Sequence, residues 1–292
     1  MAEAREATRF APSPSGRLHV GHVLAAVEAR RLADELGGLC RLRIEDIDLQ
    51  RCRPEYAEAL LDDLAWLGLR FDGEVMVQSR RMEIYRQALE LLKGMGVLYP
   101  CFCTRKEIAE RMAEMPRAPH GTACDAYPGT CRAMGQGERE ARLAAGEAHA
   151  WRLDCRRVQD VTGSLQWLDL NEGRQVCEPS RLGDVILARK DFPVSYHLAV
   201  TVDDAAQGIT HVTRGMDLFE STHVHRVLQA LLGLPVPVWK HHGLLCDEYG
   251  KRLAKRDGAR SLASLRSAGM EPGRLLASIE QALAHGGVWK MA

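Results

Sequence analysis

Residues 9–22 read Arg9-Phe10-Ala11-Pro12-Ser13-Pro14-Ser15-Gly16-Arg17-Leu18-His19-Val20-Gly21-His22. The apolar pair Phe10 and Ala11 indicates the end of a β-strand, and the prolines and glycine that follow interrupt it. Apolar residues at helical spacing then run from Val20 to Leu36, where a glycine pair stops them. The stretch therefore predicts a strand, a tight turn and a long helix in direct succession.

Two histidines stand at the start of this predicted helix. The N-terminus of a helix presents free backbone N–H groups and the positive end of the helix dipole, which suit a phosphate group. Since His19 and His22 are three residues apart, both side chains can point at one ligand. Gly21 between them leaves space for a flat base close to the backbone. The alternative is an ordinary helix start with two surface histidines.

A short basic loop, Lys251-Arg252-Leu253-Ala254-Lys255-Arg256, lies near the other end of the chain. The loop offers several positively charged side chains, among them Lys255. An enzyme that binds ATP and stabilises charge on its phosphates needs both the turn and such a lysine. Each segment therefore strengthens the interpretation of the other.

The composition excludes several classes of protein. The chain has 292 residues and a formal net charge of +0, so its net charge does not by itself indicate a nucleic-acid partner. The length allows two compact units at most. No stretch is long and apolar enough to span a membrane, and the charged N-terminus carries no signal-peptide core. Nine cysteines in such a chain favour reduced thiols and a cytoplasmic location.

Short apolar runs alternate with helical patterns along the chain, which indicates an α/β protein. Strands are expected at Leu39–Ile44, 151–154 and 184–189. Helices are expected from Pro54 to Gly68, over 80–95, and from a cap at Ser221 and Thr222 to Gly233.

The run at 9–22 closely resembles the signature of class I aminoacyl-tRNA synthetases in its glutamate-specific form. The segment Arg252-Leu253-Ala254-Lys255-Arg256 resembles the mobile Lys-Met-Ser-Lys-Ser loop of this family. Further matches lie between them in the right order: Arg43-Ile44-Glu45-Asp46-Ile47-Asp48, Tyr196-His197-Leu198-Ala199-Val200-Thr201-Val202-Asp203-Asp204 and Arg214-Gly215-Met216-Asp217-Leu218. The resemblance covers almost the whole chain.

The resemblance implies an α/β fold of the Rossmann-like nucleotide-binding type, with an inserted zinc-bearing subdomain and a short helical C-terminal tail. Residues 1–98 are then the first half of the catalytic domain, and 99–190 the inserted subdomain for the acceptor and zinc. Residues 191–257 are the second half with the mobile basic loop. Residues 258–292 are a helical tail without an anticodon-binding domain.

Within the family the chain resembles a short paralogue, because it ends soon after Lys255 and carries a particular set of cysteines and motif variants. This implies a ligase that activates L-glutamate with ATP and transfers it to queuosine at the wobble position of tRNA(Asp). The expected partner is the tRNA(Asp) anticodon arm, and no membrane is involved. The alternatives are charging of tRNA(Glu) and a non-catalytic tRNA-binding paralogue.

The resemblance also implies roles for individual residues. The expected glutamate-binding set is Arg9, Phe10, Ala11, Pro12, Ser13, Glu45, Tyr196 and Arg214. Its two arginines would bind carboxylates, which a guanidinium holds through paired hydrogen bonds, and Glu45 would bind the α-amino group. Without the resemblance, the sequence favours a core aromatic role for Tyr196, and Glu45 can be a surface acid beside Arg43.

The expected ATP-binding set is His19, Gly21, His22 and Lys255, and its two histidines and lysine are the expected catalytic residues. The histidines would hold phosphate oxygens, and Lys255 would neutralise the departing pyrophosphate. Magnesium is expected with ATP, although no carboxylate cage is visible. The chain departs from the family pattern at Arg252, Ala254 and His197, where lysine, serine and asparagine are common.

By the same resemblance, Cys101, Cys103, Tyr127 and Cys131 hold one structural zinc ion. Thiolates are good zinc donors, but the Cys-x-Cys spacing is tighter than usual and tyrosine is an unusual ligand. Cys124 is a rival fourth ligand. The alternative is a group of reduced cysteines without a metal.

Overall fold

A computed structural model describes residues 5–114, 127–189, 193–247, 249, 253, 261–284 and 287–289. Its strands are β1 Ala7–Phe10, β2 Leu39–Ile44, β3 Met76–Val77, β4 Leu98–Cys101, β5 Ala150–Leu153, β6 Gln166–Asp169, β7 Gly173–Val176, β8 Ile186–Arg189, β9 His211–Gly215 and β10 Val238–His242. Its helices are α1 Val20–Glu35, α2 Pro54–Trp66, α3 Met82–Gly94, α4 Arg105–Glu114, α5 Gln136–Ala144, α6 Cys155–Thr162, α7 Tyr196–Ala206, α8 Ser221–Leu232, α9 Leu262–Ser267 and α10 Pro272–Ala284. Short 3-10 helices cover Gln78–Arg81, Pro179–Leu182 and Met216–Leu218.

The main sheet is built from two sets of parallel strands. β2 pairs with β1 and β3, and β10 pairs with β9 and β6. The sets meet where β1 and β9 run side by side, because the backbone N–H of Thr210 donates to the carbonyl of Ala7 at 3.0 Å and Arg9 reaches the carbonyl of Thr213. The order is therefore β3-β2-β1-β9-β10-β6, with β7 antiparallel beside β6. The direction of chain progress reverses between β1 and β9, the place where open α/β sheets bind ligands.

Two clusters of buried apolar side chains cover these strands. One joins α3, α7 and α8 to β9 and β10 and includes Leu198, Leu228 and Trp239. The other joins α1, α2, α9 and α10 to β1 and β2 and includes Leu24 and Leu42. Helices thus pack on two sides of a mainly parallel sheet. This Rossmann-like α/β arrangement confirms the predicted fold class.

A separate antiparallel sheet, in the order β4-β5-β8, lies in the predicted insertion except for Leu98, the first residue of β4. The hairpin of β6 and β7 also falls within residues 99–190, yet it pairs with β10 of the main sheet. Trp167 on β6 explains this placement, because its ring lies 5.6 Å from that of Trp239 and 4.9 Å from that of Phe219. The domain boundaries given above stay a prediction.

Local signals set many ends of elements as predicted. β2 spans Leu39–Ile44, Pro54 is the first residue of α2, and α8 ends at Gly233 in the left-handed conformation with φ of 63°. The strands predicted around residues 151 and 186 are present as β5 and β8. Among the described helices, none has the length and apolar composition that crossing a bilayer would require.

Two predicted helix starts were wrong in detail. The helix expected from residue 80 begins at Met82, because a 3-10 turn precedes it and directs Gln78 and Arg81 toward the carboxylate of Asp203. The expected cap of α8 is absent: Glu220 is the N-cap residue and makes no side-chain cap hydrogen bond. The hydroxyl of Thr222 instead accepts a hydrogen bond from a buried arginine described below.

Candidate active site

A cavity of about 460 Å³ lies where the strand order reverses. Its walls come from the end of β1, the start of α1, the end of β9 and the start of α7. It is lined by the predicted residues Arg9, Phe10, Ala11, Pro12, Ser13, His19, Gly21, His22, Glu45, Tyr196 and Arg214. Lys255 lies outside the described residues, so its place in the site stays a prediction.

The two histidines cap α1, and their rings lie against each other with centroids 3.9 Å apart. His19 is the N-cap residue, and its Nδ1 accepts a hydrogen bond from the backbone N–H of Gly21 at 3.1 Å. Nδ1 of His22 accepts from the backbone N–H of His19 at 3.2 Å. A ring nitrogen that accepts carries no hydrogen, so each neutral ring carries its hydrogen on Nε2. The Nε2–H groups are suitable donors to phosphate oxygens.

The His19 ring also explains the glycine at position 21. A Cβ atom on Gly21 would lie 3.0 Å from Cε1 and 3.2 Å from Nδ1 of His19, which is tighter than ordinary side-chain contacts. The sequence indicated only that Gly21 leaves room for a base. The structure adds that it leaves room for the capping imidazole.

Four charged residues, Arg9, Arg43, Glu45 and Asp204, form what we call the ion-pair set. Nε of Arg9 lies 2.9 Å from Oδ1 of Asp204, and Nη1 of Arg43 lies 2.8 Å from the same oxygen. Nη2 of Arg43 lies 3.2 Å from Oε1 of Glu45. All four are buried, and Arg43 is fully so. Two cations and two anions therefore balance one another at the cavity wall.

The two carboxyl groups of the ion-pair set differ in pKa. Burial raises the pKa of Glu45, and the charges of Arg43 and Arg9, which act to lower this pKa, do not fully offset the effect of burial. Burial also acts to raise the pKa of Asp204, but Arg9 and Arg43 outweigh it, so that the pKa is lowered. The reason is that Asp204 contacts both guanidinium groups and Glu45 only one. Glu45 therefore has more to gain from a further cation, such as a ligand ammonium group.

Arg214, at the end of β9, is held by partners of another kind. Its Nε donates to Nε2 of His241 at 3.0 Å, and its Nη1 donates to Nδ1 of His225 at 3.0 Å. Its Nη2 donates to the hydroxyl of Thr222. Arg214 is buried, and the burial lowers its pKa.

The contacts of Arg214 continue through what we call the histidine set, His197, His225 and His241. Nε2 of His225 lies 3.2 Å from Nδ1 of His197, and Nδ1 of His241 lies 2.6 Å from Oδ2 of Asp169. Burial and the nearby charge of Arg214 lower the pKa of His197 and of His241 to about 4, and the pKa of His225 is also far below its usual range. All three imidazoles are therefore neutral at pH 7.

Sequence reasoning missed the buried partners of the expected ligand-binding residues. The sequence motif that ends in Asp203 and Asp204 indicates no role for either residue. Asp204 joins the ion-pair set, whereas the Asp203 carboxylate accepts from Gln78, Arg81 and Tyr85 at 2.7–2.9 Å and so fixes α7 to α3. The available signal was two adjacent acids after an apolar helical pattern, because carboxylates are rarely buried unless they are paired.

A second group of reactive side chains lies beside the antiparallel sheet. The Sγ atoms of Cys101, Cys103 and Cys131, which we call the thiol cluster, all lie within 4.8 Å of one another. The hydroxyl of Tyr127 lies 3.5 Å from Sγ of Cys103. The guanidinium of Arg152 covers the Tyr127 ring at 3.8 Å from its centroid. The rival ligand Cys124 lies outside the part of the chain that the structure describes.

The thiol cluster fits a tetrahedral metal ion in its donors and spacing. Zn–S bonds of about 2.3 Å separate two sulfur ligands by roughly 3.8 Å, and Sγ of Cys103 is 3.4 Å from Sγ of Cys131. Burial raises the pKa of Cys103 to about 11. Burial acts in the same direction on Cys131, but hydrogen bonds from Tyr127 and the Phe102 backbone outweigh it and lower the pKa. The described cysteines form no disulfide, so these thiols are available to a metal.

Comparison with known proteins identifies the family of this chain. The family model described as tRNA synthetases class I (E and Q), catalytic domain, matches residues 6–282. Glutamyl-Q tRNA(Asp) synthetase of Rhodobacter capsulatus is 48% identical over 271 residues, which cover 91% of this chain and 96% of that protein. Glutamyl-Q tRNA(Asp) synthetase of Symbiobacterium thermophilum is 44% identical, over 90% of this chain and 82% of that protein.

A solved structure gives the same result for the fold. The crystal structure of a glutamate tRNA ligase from Elizabethkingia meningosepticum in complex with its amino acid matches with a TM-score of 0.73 at 29% identity. The match covers 87% of this chain and 52% of that chain, so this chain spans about half the length of that ligase. The chain therefore belongs to the class I tRNA synthetases for glutamate and glutamine, and within them to the glutamyl-Q tRNA(Asp) synthetases.

Proposed function

We propose that this enzyme forms glutamyl-adenylate from L-glutamate and ATP and transfers the glutamyl group to queuosine at the wobble position of tRNA(Asp). The observation that carries the proposal is the cavity at the strand reversal, which gathers two arginines, one glutamate and two capping histidines. This set suits a substrate with two carboxylates, an ammonium group and phosphates. The identity of 48% over nearly the full length of a glutamyl-Q tRNA(Asp) synthetase supports the acceptor.

In the activation step, an oxygen of the glutamate α-carboxylate attacks the α-phosphorus of ATP, and the bond to the pyrophosphate oxygen breaks. Such a reaction depends on positioning and charge stabilisation more than on acid–base chemistry. His19 and His22 donate from Nε2 to phosphate oxygens, and Gly21 admits the base. Lys255 neutralises the leaving pyrophosphate, and magnesium accompanies the phosphates.

Glutamate recognition rests on charge pairing in a buried site. Arg9 and Arg214 bind the two carboxylates, and Glu45 binds the α-amino group. Phe10, Ala11, Pro12 and Ser13 form the wall on the β1 side, and Tyr196 closes the opposite side. Glutamine would leave one buried arginine without an anion, because its side chain ends in a neutral amide. Aspartate is too short for its two carboxylates to reach Arg9 and Arg214 at once. Glutamine and aspartate should therefore be poor substrates.

A second cavity of about 340 Å³ supports the transfer step. It adjoins the first and shares Ser13, Ser15, Glu45 and Tyr196 with it. An acceptor hydroxyl that enters there attacks the carbonyl carbon of the adenylate, and AMP leaves with the bridging oxygen. The cyclopentene diol of queuosine offers this hydroxyl in place of a ribose diol when the anticodon arm of tRNA(Asp) reaches the site.

One structural zinc ion is assigned to Cys101, Cys103, Tyr127 and Cys131. When bound, the ion supplies a cross-link between the end of β4 and the segment that carries Tyr127 and Cys131. The stacking of Arg152 on the Tyr127 ring supports Tyr127 as the fourth ligand, because it holds the phenol beside the thiols. The free thiols of the described cysteines favour the cytoplasm as the compartment.

The experiment that tests the acceptor is transfer of labelled glutamate to tRNA(Asp) with and without queuosine, with tRNA(Glu) in parallel. We expect label only on tRNA(Asp) that contains queuosine. The second candidate function is charging of tRNA(Glu), which the likeness to a glutamate tRNA ligase favours. Labelling of the 3′ end of tRNA(Glu), or equal labelling of both tRNA(Asp) samples, would replace the first proposal with the second.

A companion assay tests whether the chain is catalytic at all. ATP–pyrophosphate exchange should depend on glutamate and proceed without tRNA, since a pocket of this kind is complete without an anticodon signal. If no exchange occurs with or without tRNA, the chain is a tRNA-binding paralogue rather than an enzyme.

A further inference from the structure

The two arginines of the cavity are held by opposite kinds of partner. Arg9 contacts the carboxylate of Asp204, so its charge is compensated within the protein. Arg214 donates to two imidazole nitrogens and the hydroxyl of Thr222, and the hydroxyl of Tyr196 is a further hydrogen-bond partner. Within the described part of the chain, no carboxylate oxygen lies within 4.0 Å of its guanidinium nitrogens.

The direction of the hydrogen bonds requires His225 and His241 to be neutral. A guanidinium can only donate, so Nδ1 of His225 and Nε2 of His241 must accept from Arg214. The hydrogen of His225 then lies on Nε2, which faces Nδ1 of His197 at 3.2 Å. The hydrogen of His241 lies on Nδ1, which faces Asp169 at 2.6 Å. Each ring is thus fixed in one tautomer, and these hydrogen bonds hold Arg214 without placing an anion on its guanidinium.

We propose that His225 is a positioning residue that orients Arg214 while leaving its positive charge uncompensated for a substrate carboxylate. The proposal rests on the proposed function, in which Arg214 binds glutamate. The charges at the cavity wall support it. Arg9 has an anionic partner in Asp204, whereas the contacts of Arg214 given above are neutral. Arg214 is therefore the guanidinium whose charge is left for a carboxylate of L-glutamate, which carries two carboxylates and one ammonium group.

The choice of neutral partners has an electrostatic consequence. A carboxylate beside Arg214 would hold the guanidinium equally well, but it would compete with the substrate for the same donors and cancel the field that attracts it. An imidazole uses up one N–H group and leaves the charge in place. Its rigid ring also gives the guanidinium plane a fixed orientation, which paired binding of a carboxylate needs.

The test compares an anionic and a neutral replacement of the same ring. His225→Gln provides an amide oxygen for Arg214 and an N–H for His197 but lacks the rigid ring, so glutamate KM in the exchange assay should rise only slightly. His225→Glu keeps an acceptor for Arg214 but adds an anion, so glutamate KM should rise about tenfold or more, whereas ATP KM stays unchanged. His223→Gln is the matched control, because His223 is on the same helix and its Nδ1 accepts from the backbone N–H of Glu178.

A role limited to stability predicts a different result. The new ion pair of His225→Glu would then preserve glutamate KM, or the Glu and Gln variants would shift it equally, and either result would overturn the proposal. Melting temperatures of all variants establish that they fold. If His225→Glu does not fold, Thr222→Asp and Thr222→Asn test the same difference at another nitrogen of Arg214. Wild-type protein without glutamate-dependent exchange would instead refute the proposed function, and the role of His225 with it.

Discussion

The cavity between β1 and β9 and the thiol cluster differ in whether their side chains attract or repel one another before a ligand binds. In the cavity, the ion-pair set joins charges of opposite sign through contacts of 2.8–3.2 Å. The thiol cluster gathers groups of the same kind, which repel one another once they become the thiolates that a metal requires. We therefore expect the cavity to keep its shape without a substrate, whereas the order of the thiol cluster depends on its ion.

The largest effect on catalysis is expected from Lys255, a positive charge of the proposed site that does not belong to the ion-pair set. Lys255→Ala should lower the rate of glutamate-dependent ATP–pyrophosphate exchange by about 10²–10³-fold, because the charge on the departing pyrophosphate loses its partner. ATP binding, measured by equilibrium titration, should change much less. Lys251→Ala is a control in the same segment. Unchanged turnover in Lys255→Ala would remove this residue from the catalytic set.

The thiol cluster should respond to the loss of a single ligand. Metal analysis of the wild type should give about one zinc ion per chain, and Cys103→Ser should lose the ion and lower the melting temperature, since metal binding contributes to folding. Cys246→Ser, which lies outside the cluster, should keep the zinc ion and the melting temperature of the wild type. Tyr127→Phe and Cys124→Ser, compared side by side, identify the fourth ligand. Full zinc content in a double variant of Cys101 and Cys103 would disprove the site.

The ion-pair set should be sensitive to removal of one shared anion. Asp204→Asn should lower the free energy of unfolding by about 3 kcal/mol, because Arg9 and Arg43 then remain buried without their common partner. The folded-state pKa of Asp204 is lowered, so the stability that it adds is present above its unfolded pKa and is lost as pH falls through the folded value.

Urea denaturation should therefore show the difference between wild type and Asp204→Asn at pH 7 and a smaller difference below about pH 4. Asp34→Asn breaks an ion pair with Arg30 whose acid side chain is 64% exposed, and it should cost less than about 1 kcal/mol. Equal losses from the two variants would mean that the ion-pair set is not buried in solution.

The smallest effect is expected from the histidine set. The pKa of His197 is lowered to about 4, so between about pH 6.5 and 4 the unfolded chain takes up a proton that the folded chain does not. The free energy of unfolding should therefore fall as the pH is lowered through this range. His197→Gln should reduce this slope by roughly 1 kcal/mol per pH unit. An unchanged slope would show that His197 is accessible to protons in the folded protein.

Local features of the chain were sufficient to predict the elements around the site. The prolines, the glycines and the apolar spacing of residues 9–38 predict β1, the turn and α1, because each of these signals acts over a few neighbouring residues. The bounds of β2 and the glycine end of α8 were predicted for the same reason. The motifs also identified the residues that line the cavity, since the resemblance attached to runs of adjacent residues.

What only the tertiary structure decided is which side chains meet. Arg9 and Asp204 are 195 positions apart, and Arg43 and Asp204 are 161 apart. Their contacts exist because β1 lies next to β9 in the sheet and α7 packs behind them. The same holds for β6, which joins the main sheet through Trp167 although its neighbours in sequence form another sheet.

The histidine set shows the physical reason most clearly. A histidine in a sequence can be charged or neutral, a ligand or a packing residue, and nothing in its neighbours decides between these states. Burial beside the positive charge of Arg214 makes all three rings neutral, and the donors around them fix their tautomers. Local structure follows from short-range sterics and hydrophobic spacing, whereas charge states and partners depend on distances that only the folded chain defines.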